Sequence, residues 1–150
     1  MSKQCGLFMT FILLCGLSLG SVAWAENSGT IKVRIINLQN KKGVVDVMLF
    51  KSEEDYPIVN GENTFKIIPA SIASDYTAEV TFVDVPYGDY AVVALHDENN
   101  NQKMDFDDKY NPIEGIAASN NKSCTDFEEA KFTLDQSRMV VGIQMKYYYL

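Results

Sequence analysis

A loop crowded with acidic and amide side chains carries the clearest chemistry in this sequence. Counted from Asp97, acidic or amide side chains stand at positions one, three, five, nine and twelve, and Lys103 stands at position seven. This is the spacing of an EF-hand-type calcium loop, in which position seven binds through its backbone carbonyl. A hard cation needs about six to eight oxygen ligands, and a curled loop directs side-chain oxygens inward while one backbone carbonyl supplies the seventh position. The predicted calcium ligands are Asp97, Asn99, Asn101, Lys103 through its carbonyl, Asp105 and Asp108.

Two positions depart from that pattern. Position six, where the loop turns sharply, carries Gln102 instead of glycine, and a left-handed non-glycine residue costs about 1–2 kcal/mol. Position twelve carries Asp108, one methylene shorter than the usual bidentate glutamate, so Glu98 and Glu114 are alternative ligands. The other reading is a solvated loop that binds no ion.

The only histidine, His96, directly precedes this loop. A histidine metal cluster is therefore excluded, and nothing in the sequence places Ser119, Ser123 or Cys124 against His96 for nucleophilic catalysis. We expect His96 to pack or to orient the neighbouring loop.

The first 25 residues have the features of a cleaved export signal. Lys3 precedes an apolar run from Gly6 to Leu19, and small residues flank Trp24 at Ala23 and Ala25. Residues 1–25 are thus predicted to be a signal peptide and residues 26–150 one mature domain, which is periplasmic or secreted. Its removal leaves Cys124 as the single cysteine, so no intrachain disulfide can form, and a buried, inert thiol is favoured over pairing between chains.

The mature chain is strongly acidic, because 12 basic and 20 acidic residues remain, a net charge of −8. Such a surface repels phosphate backbones and provides no polybasic patch for lipid, so nucleic acid is excluded as a partner and no membrane insertion is expected after cleavage. Cations or a basic partner suit this charge.

Short segments with alternating polarity dominate the mature chain and predict strands. A turn at Asn40 to Gly43 predicts that the first two strands form a hairpin, and one helical turn at most fits at Ser52 to Asp55. Seven strands in such a length indicate an all-β fold, a single Greek-key β-sandwich of immunoglobulin-like or transthyretin-like type. The predicted strands are Ile31–Ile35, Val44–Lys51, Thr64–Pro69, Tyr76–Val83, Tyr90–His96, Ala130–Leu134 and Met139–Tyr147.

Two further segments bear on the sandwich. Val85–Tyr90 has Pro86 and Gly88 placed for a tight turn, which predicts a tyrosine corner with the Tyr90 hydroxyl bonded to the preceding backbone. Tyr110–Asn121 continues the long excursion after Asp97 and would form one rim of the sandwich. The rim also includes Asp97–Asp108. Its apolar residues could offer a ligand surface, but we expect them to tuck the excursion against the sandwich end; they are Phe106, Tyr110, Ile113 and Ile116.

The run VDVPYGDYAVVALHDENNNQKMDFDD, followed by PIEGIAASNN and FEEAKFTL, resembles an exported bacterial domain of unknown function catalogued under number 2141. The resemblance covers Ile31 to Tyr147 and rests on segments around Pro86, His96 and Glu114. Members usually carry glycines where this chain has Asn100 and Gln102, which weakens the expectation of ion binding here. The family implies compartment and fold but no activity.

Three functional classes remain open. The first is a non-enzymatic binding or accessory module of the bacterial envelope, which recognises a protein or glycan and is stabilised by calcium in the Asp97–Asp108 loop. The second is a hydrolase that acts on an envelope polymer through the carboxylates of Asp97, Glu98, Asp105 or Glu114. The third is a purely structural envelope protein.

Overall fold

The computed structural model describes residues 27–56, 66–122 and 124–148. The predicted signal peptide lies outside these residues. Eight strands form two sheets, one of three strands in the order β4-β1-β8 and one of five in which β3-β2-β5-β6 are neighbours and β7 pairs with β5. The strands are β1 Ser28–Ile36, β2 Val44–Phe50, β3 Lys66–Ala70, β4 Ala78–Pro86, β5 Gly88–Asp97, β6 Gly115–Ala118, β7 Phe132–Leu134 and β8 Arg138–Gln144. The only regular α-helix of the described residues is the single turn α1, Phe127–Ala130.

The two sheets pack face to face around one apolar core, which confirms the predicted all-β sandwich. Alternation in β1 directs Ile31, Val33 and Ile35 inward, where they are fully buried. From the other sheet, Val45 and Val47 of β2 meet them in the same core cluster.

The five-stranded sheet is covered on its second face as well. Met48 and Phe50 of β2 face a separate cluster that includes Tyr56, Met104 and Phe127. This double burial explains why β2 and β5 are apolar along nearly their whole length, since neither face meets water. Cys124 packs against this cluster, and its burial raises the pKa of the thiol to about 11, as expected of an inert cysteine.

The predicted hairpin of the first two strands is wrong. β1 pairs antiparallel with β4 and parallel with β8, whereas β2 pairs with β3 and β5 in the opposite sheet. The connection between them therefore crosses from one sheet to the other. Alternation in sequence specifies which face of a strand is buried but not which strand lies beside it, so a turn signal at Asn40–Gly43 fits both arrangements.

The predicted count of seven strands is also wrong for the described residues. β6 is an additional strand within the predicted excursion Tyr110–Asn121. Its four residues are small or apolar and show no alternation, so the sequence pattern does not indicate a strand there. β8 ends at Gln144; beyond it, the Met145 N–H still donates to the Ile36 carbonyl, and Lys146 forms an isolated bridge with Ile116. At Ser52 the expected helical turn is a 3-10 turn, Glu53–Asp55, without a side-chain cap.

The tyrosine corner is confirmed. Tyr90 is fully buried at the start of β5, and its hydroxyl donates a hydrogen bond of 2.8 Å to the carbonyl oxygen of Pro86. The bond joins the end of β4, in one sheet, to β5 in the other.

Tyr90→Phe is therefore expected to lower the free energy of unfolding by about 1 kcal/mol, because the change removes a hydroxyl from a largely buried hydrogen bond. Urea unfolding followed by circular dichroism measures the effect. Tyr87→Phe, at a more exposed ring in the same turn, is the control. Equal unfolding midpoints for Tyr90→Phe and the parent protein would contradict a stabilising corner.

Candidate functional site

Asp97 ends β5 and anchors the predicted ion-binding loop. Its side chain is fully buried, and both carboxylate oxygens accept backbone hydrogen bonds, Oδ1 from the N–H of Asn101 at 3.1 Å and Oδ2 from the N–H of Gln102 at 2.7 Å. These bonds curl the chain back onto the strand end. A carboxylate has about four acceptor sites, so both oxygens retain a lone pair for a further contact.

Two of the three asparagines of the loop, Asn99 and Asn101, face Asp105. The Oδ1 of Asn99 accepts from the N–H of Asn101 at 3.1 Å, and the Oδ1 of Asn101 accepts from the N–H of Lys103 at 2.9 Å. Both amide nitrogens then donate to the carboxylate of Asp105. Four of the predicted ligands thus form one hydrogen-bonded ring, which we call the acid–amide ring: Asp97, Asn99, Asn101 and Asp105.

The backbone of the ring is left-handed at two non-glycine residues, Asn100 with φ of 65° and Gln102 with φ of 61°. The turn at position six therefore has the conformation that an EF-hand-type loop requires, although glutamine occupies it. Two backbone N–H groups held by Asp97 stabilise this conformation against its cost of about 1–2 kcal/mol.

Glu114, not Asp108, connects the ring to the rest of the site. Glu114 is buried, and its carboxylate accepts from the N–H of Glu98 at 2.9 Å and from the N–H of Asp105 at 3.2 Å. Asp108 is exposed, and in the part of the chain that the structure describes no hydrogen bond joins its side chain to the ring. Lys103 contributes to the ring through its backbone N–H, which donates to Asn101, and not through its side chain.

Several carboxylates lie close together here, and two of them are harder to ionise than usual. Burial raises the pKa of Glu114, the two backbone N–H bonds oppose that shift, and the nearby Asp105 and Asp97 add to it. Burial and then Asp97 raise the pKa of Asp46 on β2. The site thus favours either a proton or a cation.

A hairpin-like projection follows the ring. The Ile113 N–H donates to the Asp105 carbonyl at 3.0 Å, Phe106 bridges to Pro112, and the side chain of Asp107 accepts the N–H groups of Lys109 and Asn111. We call residues 105–113 the tip hairpin.

The apolar side chains of the tip hairpin are exposed, in contrast to the expectation that they would tuck against the sandwich. Tyr110 is 87% exposed, Phe106 45% and Ile113 42%. Tyr110 also has a left-handed backbone with φ of 62°, which is unfavourable for an aromatic residue. Ile116 alone packs inward, against the second core cluster.

A cleft of about 370 Å³ lies between the ring and the tip hairpin. Ile113 forms an apolar wall, and the remaining lining consists of polar or charged side chains. The Lys42 ammonium lies 3.8 Å from the Glu98 carboxylate across this space. The lining residues are Lys42, Glu98, Asn99, Asp105, Ile113 and Glu114.

His96 links the end of β5 to the β1–β2 connection and to Tyr147, which is the structural role that the sequence predicted. It is fully buried, its Nε2 bonds the carbonyl of Lys42 at 3.0 Å, and its Nδ1 bonds the hydroxyl of Tyr147 at 2.6 Å. Because a carbonyl only accepts, Nε2 carries the proton and the Tyr147 hydroxyl donates to Nδ1. That hydroxyl in turn accepts the N–H of Gln39 at 3.1 Å.

Sequence reasoning missed both Tyr147 and Gly43 as parts of this site. Gly43 has φ of 59°, and a Cβ there would lie 1.8 Å from the carbonyl oxygen of Asp97. The backbone at Gly43, in the connection from β1 to β2, therefore packs directly against the backbone of Asp97 at the base of the ring. The turn signal at Gly43 was visible, but its contact with Asp97 was not.

The residues present fit calcium in part. Among the described residues, no three acidic, histidine or cysteine side chains are grouped closely enough to hold a metal by themselves. A calcium ligand set therefore needs the amide oxygens of Asn99 and Asn101 and the carbonyl of Lys103 beside Asp97 and Asp105. Both amides would have to turn from Asp105 toward the ion.

Comparisons with known proteins bear on the family of this chain. A family model described as "Uncharacterized protein conserved in bacteria (DUF2141)" matches residues 33–141. A crystal structure from Pseudomonas aeruginosa, described as that of a "putative carbohydrate binding protein", aligns with 79% of this chain and 88% of its own chain, at 11% identity and a TM-score of 0.38. No curated protein matches the chain. Within the described ranges, no helix has both the length and the apolar character needed to cross a membrane.

Proposed function

Since the chain belongs to the DUF2141 family of bacterial proteins, we propose that it is an exported, non-enzymatic binding module of the cell envelope that recognises a glycan. The cleft beside the tip hairpin is the observation that carries this proposal. Its volume of about 370 Å³ lies in the range of small-molecule sites and suits a sugar residue. Its ammonium, amide and carboxylate groups match sugar hydroxyls, while Ile113 offers an apolar wall.

The exposed aromatic side chains extend that surface. Tyr110 and Phe106 stand on the same hairpin as Ile113, and a tyrosine ring stacks on the apolar face of a sugar while its hydroxyl remains hydrated. The tip hairpin is held by Asp107 at its turn and by Glu114 at its base, so the surface is organised before a ligand arrives.

The carboxylates favour binding over hydrolysis. Asp97 and Glu114 are buried and hold backbone N–H groups, which is a positioning role. Glu98, Asp105 and Glu114 do line the cleft, so the hydrolase remains the competing function. Release of reducing ends from a bound glycan would support the hydrolase.

Tyr110→Ala is expected to weaken glycan binding about tenfold or more, because aromatic anchors dominate recognition surfaces. Sedimentation with purified peptidoglycan sacculi and titration with chitin oligosaccharides measure binding. Tyr87→Ala is the control, since Tyr87 is an exposed tyrosine in the turn between β4 and β5, away from the tip hairpin. Equal binding by the two variants, or binding of neither probe by the parent protein, would argue against a glycan site here.

Calcium in the acid–amide ring is the second part of the proposal. The ring already has the curled backbone of an ion-binding loop, and the largely buried Asp46 adds a carboxylate close enough to Asp97 for their charges to interact. An ion would replace the amide hydrogens at Asp105 and relieve the repulsion among these carboxylates.

Calcium is therefore expected to raise the melting temperature of the parent protein relative to chelator, with no comparable rise in magnesium. Asp97→Ala and Asp105→Ala are expected to abolish this rise, whereas Asp107→Ala, at the turn of the tip hairpin, should retain it. The response to calcium is compared within each variant, because Asp97→Ala lowers stability in its own right. Unchanged responses in both ring variants would remove these residues from the ligand set.

A further inference from the structure

β8 lies in the other sheet from the acid–amide ring, and among the described residues one of its two edges has no paired strand; we call it the free edge of β8. The Met145 N–H donates to the Ile36 carbonyl at 3.0 Å, so odd-numbered residues of this segment face β1. The Gln144 N–H points the other way, to the Oδ1 of Asn121 at 2.9 Å. Val140 and Gly142 therefore direct their N–H and C=O groups outward, and no backbone of the described residues pairs with them.

Each of the edge strands β3, β4 and β6 carries a feature that blocks part of its edge in the described residues. β3 contains Pro69, and the Val83 carbonyl of β4 accepts the ammonium of Lys66 at 2.8 Å. The Ile116 N–H of β6 bonds the carbonyl of Lys146 at 3.0 Å. Proteins usually block edges in such ways, because an open edge is a template for another strand. β8 lacks each of these devices between Arg138 and Gly142.

The side chains along β8 leave room for an added strand. Val140 is 71% exposed, and a Cβ on Gly142 would meet no atom within 4 Å. A groove of about 380 Å³ over the exposed face of β1 and β8 is lined by these two residues, Arg34, Ile36 and Asn121. The Asn121 amide oxygen occupies the place of a strand carbonyl opposite Gln144, so an added strand would extend from there toward Arg138.

The charge beside this edge indicates which partner fits. The exposed face of the sheet carries Lys32, Arg34 and Arg138, whereas one carboxylate, Glu79, pairs with the first two. Arg138 makes no ion pair with any residue that the structure describes. Asp75 also lies near enough to Arg34 for their charges to interact. Arg138 is therefore the cation beside this edge that is left for a partner's carboxylate, on a protein of net charge −7. A second copy paired antiparallel about Val140 would set Arg138 beside Gly142, next to Arg34, and so bring like charges together.

We propose that the free edge of β8 binds an extended segment of another protein by strand addition, and that the segment carries carboxylates among apolar side chains. Backbone hydrogen bonds to Val140 and Gly142 supply the pairing. An apolar side chain beside Val140 and a carboxylate near Arg138 supply the selectivity.

Synthetic ten-residue peptides test this proposal. One alternates valine with glutamate and threonine, a second carries lysine at each glutamate, and both bear a fluorophore for anisotropy measurements at low and physiological salt. Gly142→Pro removes one outward N–H without removing a bond to β1, and Gly142→Ala retains that N–H as the matched control. Arg138→Glu provides a second variant that leaves the backbone unchanged.

We expect the glutamate peptide to bind the parent protein and Gly142→Ala at least tenfold more tightly than it binds Gly142→Pro, and Arg138→Glu to shift preference toward the lysine peptide. Equal binding of both peptides by the parent protein, or binding of neither, would overturn the proposal. A concentration-dependent dimer in sedimentation velocity that Gly142→Pro abolishes would also overturn it, since the occupant would then be a second copy.

Discussion

Gly43→Ala is expected to lower the free energy of unfolding by about 2–5 kcal/mol, the largest effect expected of an alanine substitution among the glycines that the structure describes. Two costs combine. A left-handed residue with a Cβ costs about 1–2 kcal/mol, and the φ of Gly43 is 59°. The added carbon would also lie 1.8 Å from the Asp97 carbonyl oxygen, so backbone must move, at a further cost of about 1–3 kcal/mol.

Gly142→Ala is the matched control for this change, because the space around Gly142 is open and its strand conformation suits alanine. Chemical unfolding of both variants measures the difference. Since Gly43 touches the base of the acid–amide ring, Gly43→Ala should also weaken any calcium response. Unfolding midpoints that agree for the two alanine variants would mean that the β1–β2 connection does not hold Asp97 as the structure describes.

Glu114→Ala is expected to lower the free energy of unfolding by about 2–4 kcal/mol. Its carboxylate accepts two backbone N–H groups, one from each side of the ring, and a hydrogen bond to a charged group contributes about 1.5–3 kcal/mol. Glu114→Gln should have a smaller effect, because the amide still accepts one of the two. Glu79→Ala, at an exposed surface ion pair, is the control and should change stability by less than about 1 kcal/mol.

Glu114 also predicts an unusual dependence of stability on pH. Burial raises the pKa of its carboxyl above the ordinary value of 4.5, so the folded state binds a proton more readily than the unfolded chain does. Ionisation therefore opposes folding, and its contribution to stability falls as pH rises from about 4.5 through the raised pKa.

The difference in stability between the parent protein and Glu114→Gln isolates this effect, since Asp46 titrates in both. We expect that difference to shift against the parent protein as pH rises from 4 to 8. Thermal unfolding across this range in chelator measures it. A difference that stays constant, or that shifts in favour of the parent protein, would show that the two N–H bonds outweigh burial.

The site residues divide according to how local their interactions are. Asp97, Asn99, Asn101 and Asp105 lie within one loop and bond to one another or to nearby backbone, so their spacing alone brought them together. Glu114 was visible only as an alternative, because it enters the site from the far end of the excursion. Asp108 was predicted as the ligand at position twelve. The turn that follows the ring is instead stabilised by Asp107, whose side chain accepts backbone N–H groups within the tip hairpin.

The amino-acid sequence by itself determined the strand character, the buried faces and the tyrosine corner, because period-two alternation and turn residues are local properties of the chain. The family came instead from the resemblance of whole segments, which the family model over residues 33–141 matches. Only the tertiary structure decided which strands are neighbours, since β1 lies beside β4 and β8 instead of β2. Long-range pairing also decided that Gly43 and Tyr147 support the ring and that β8 has a free edge. These features depend on contacts between residues far apart in the chain, where spacing carries no information about distance.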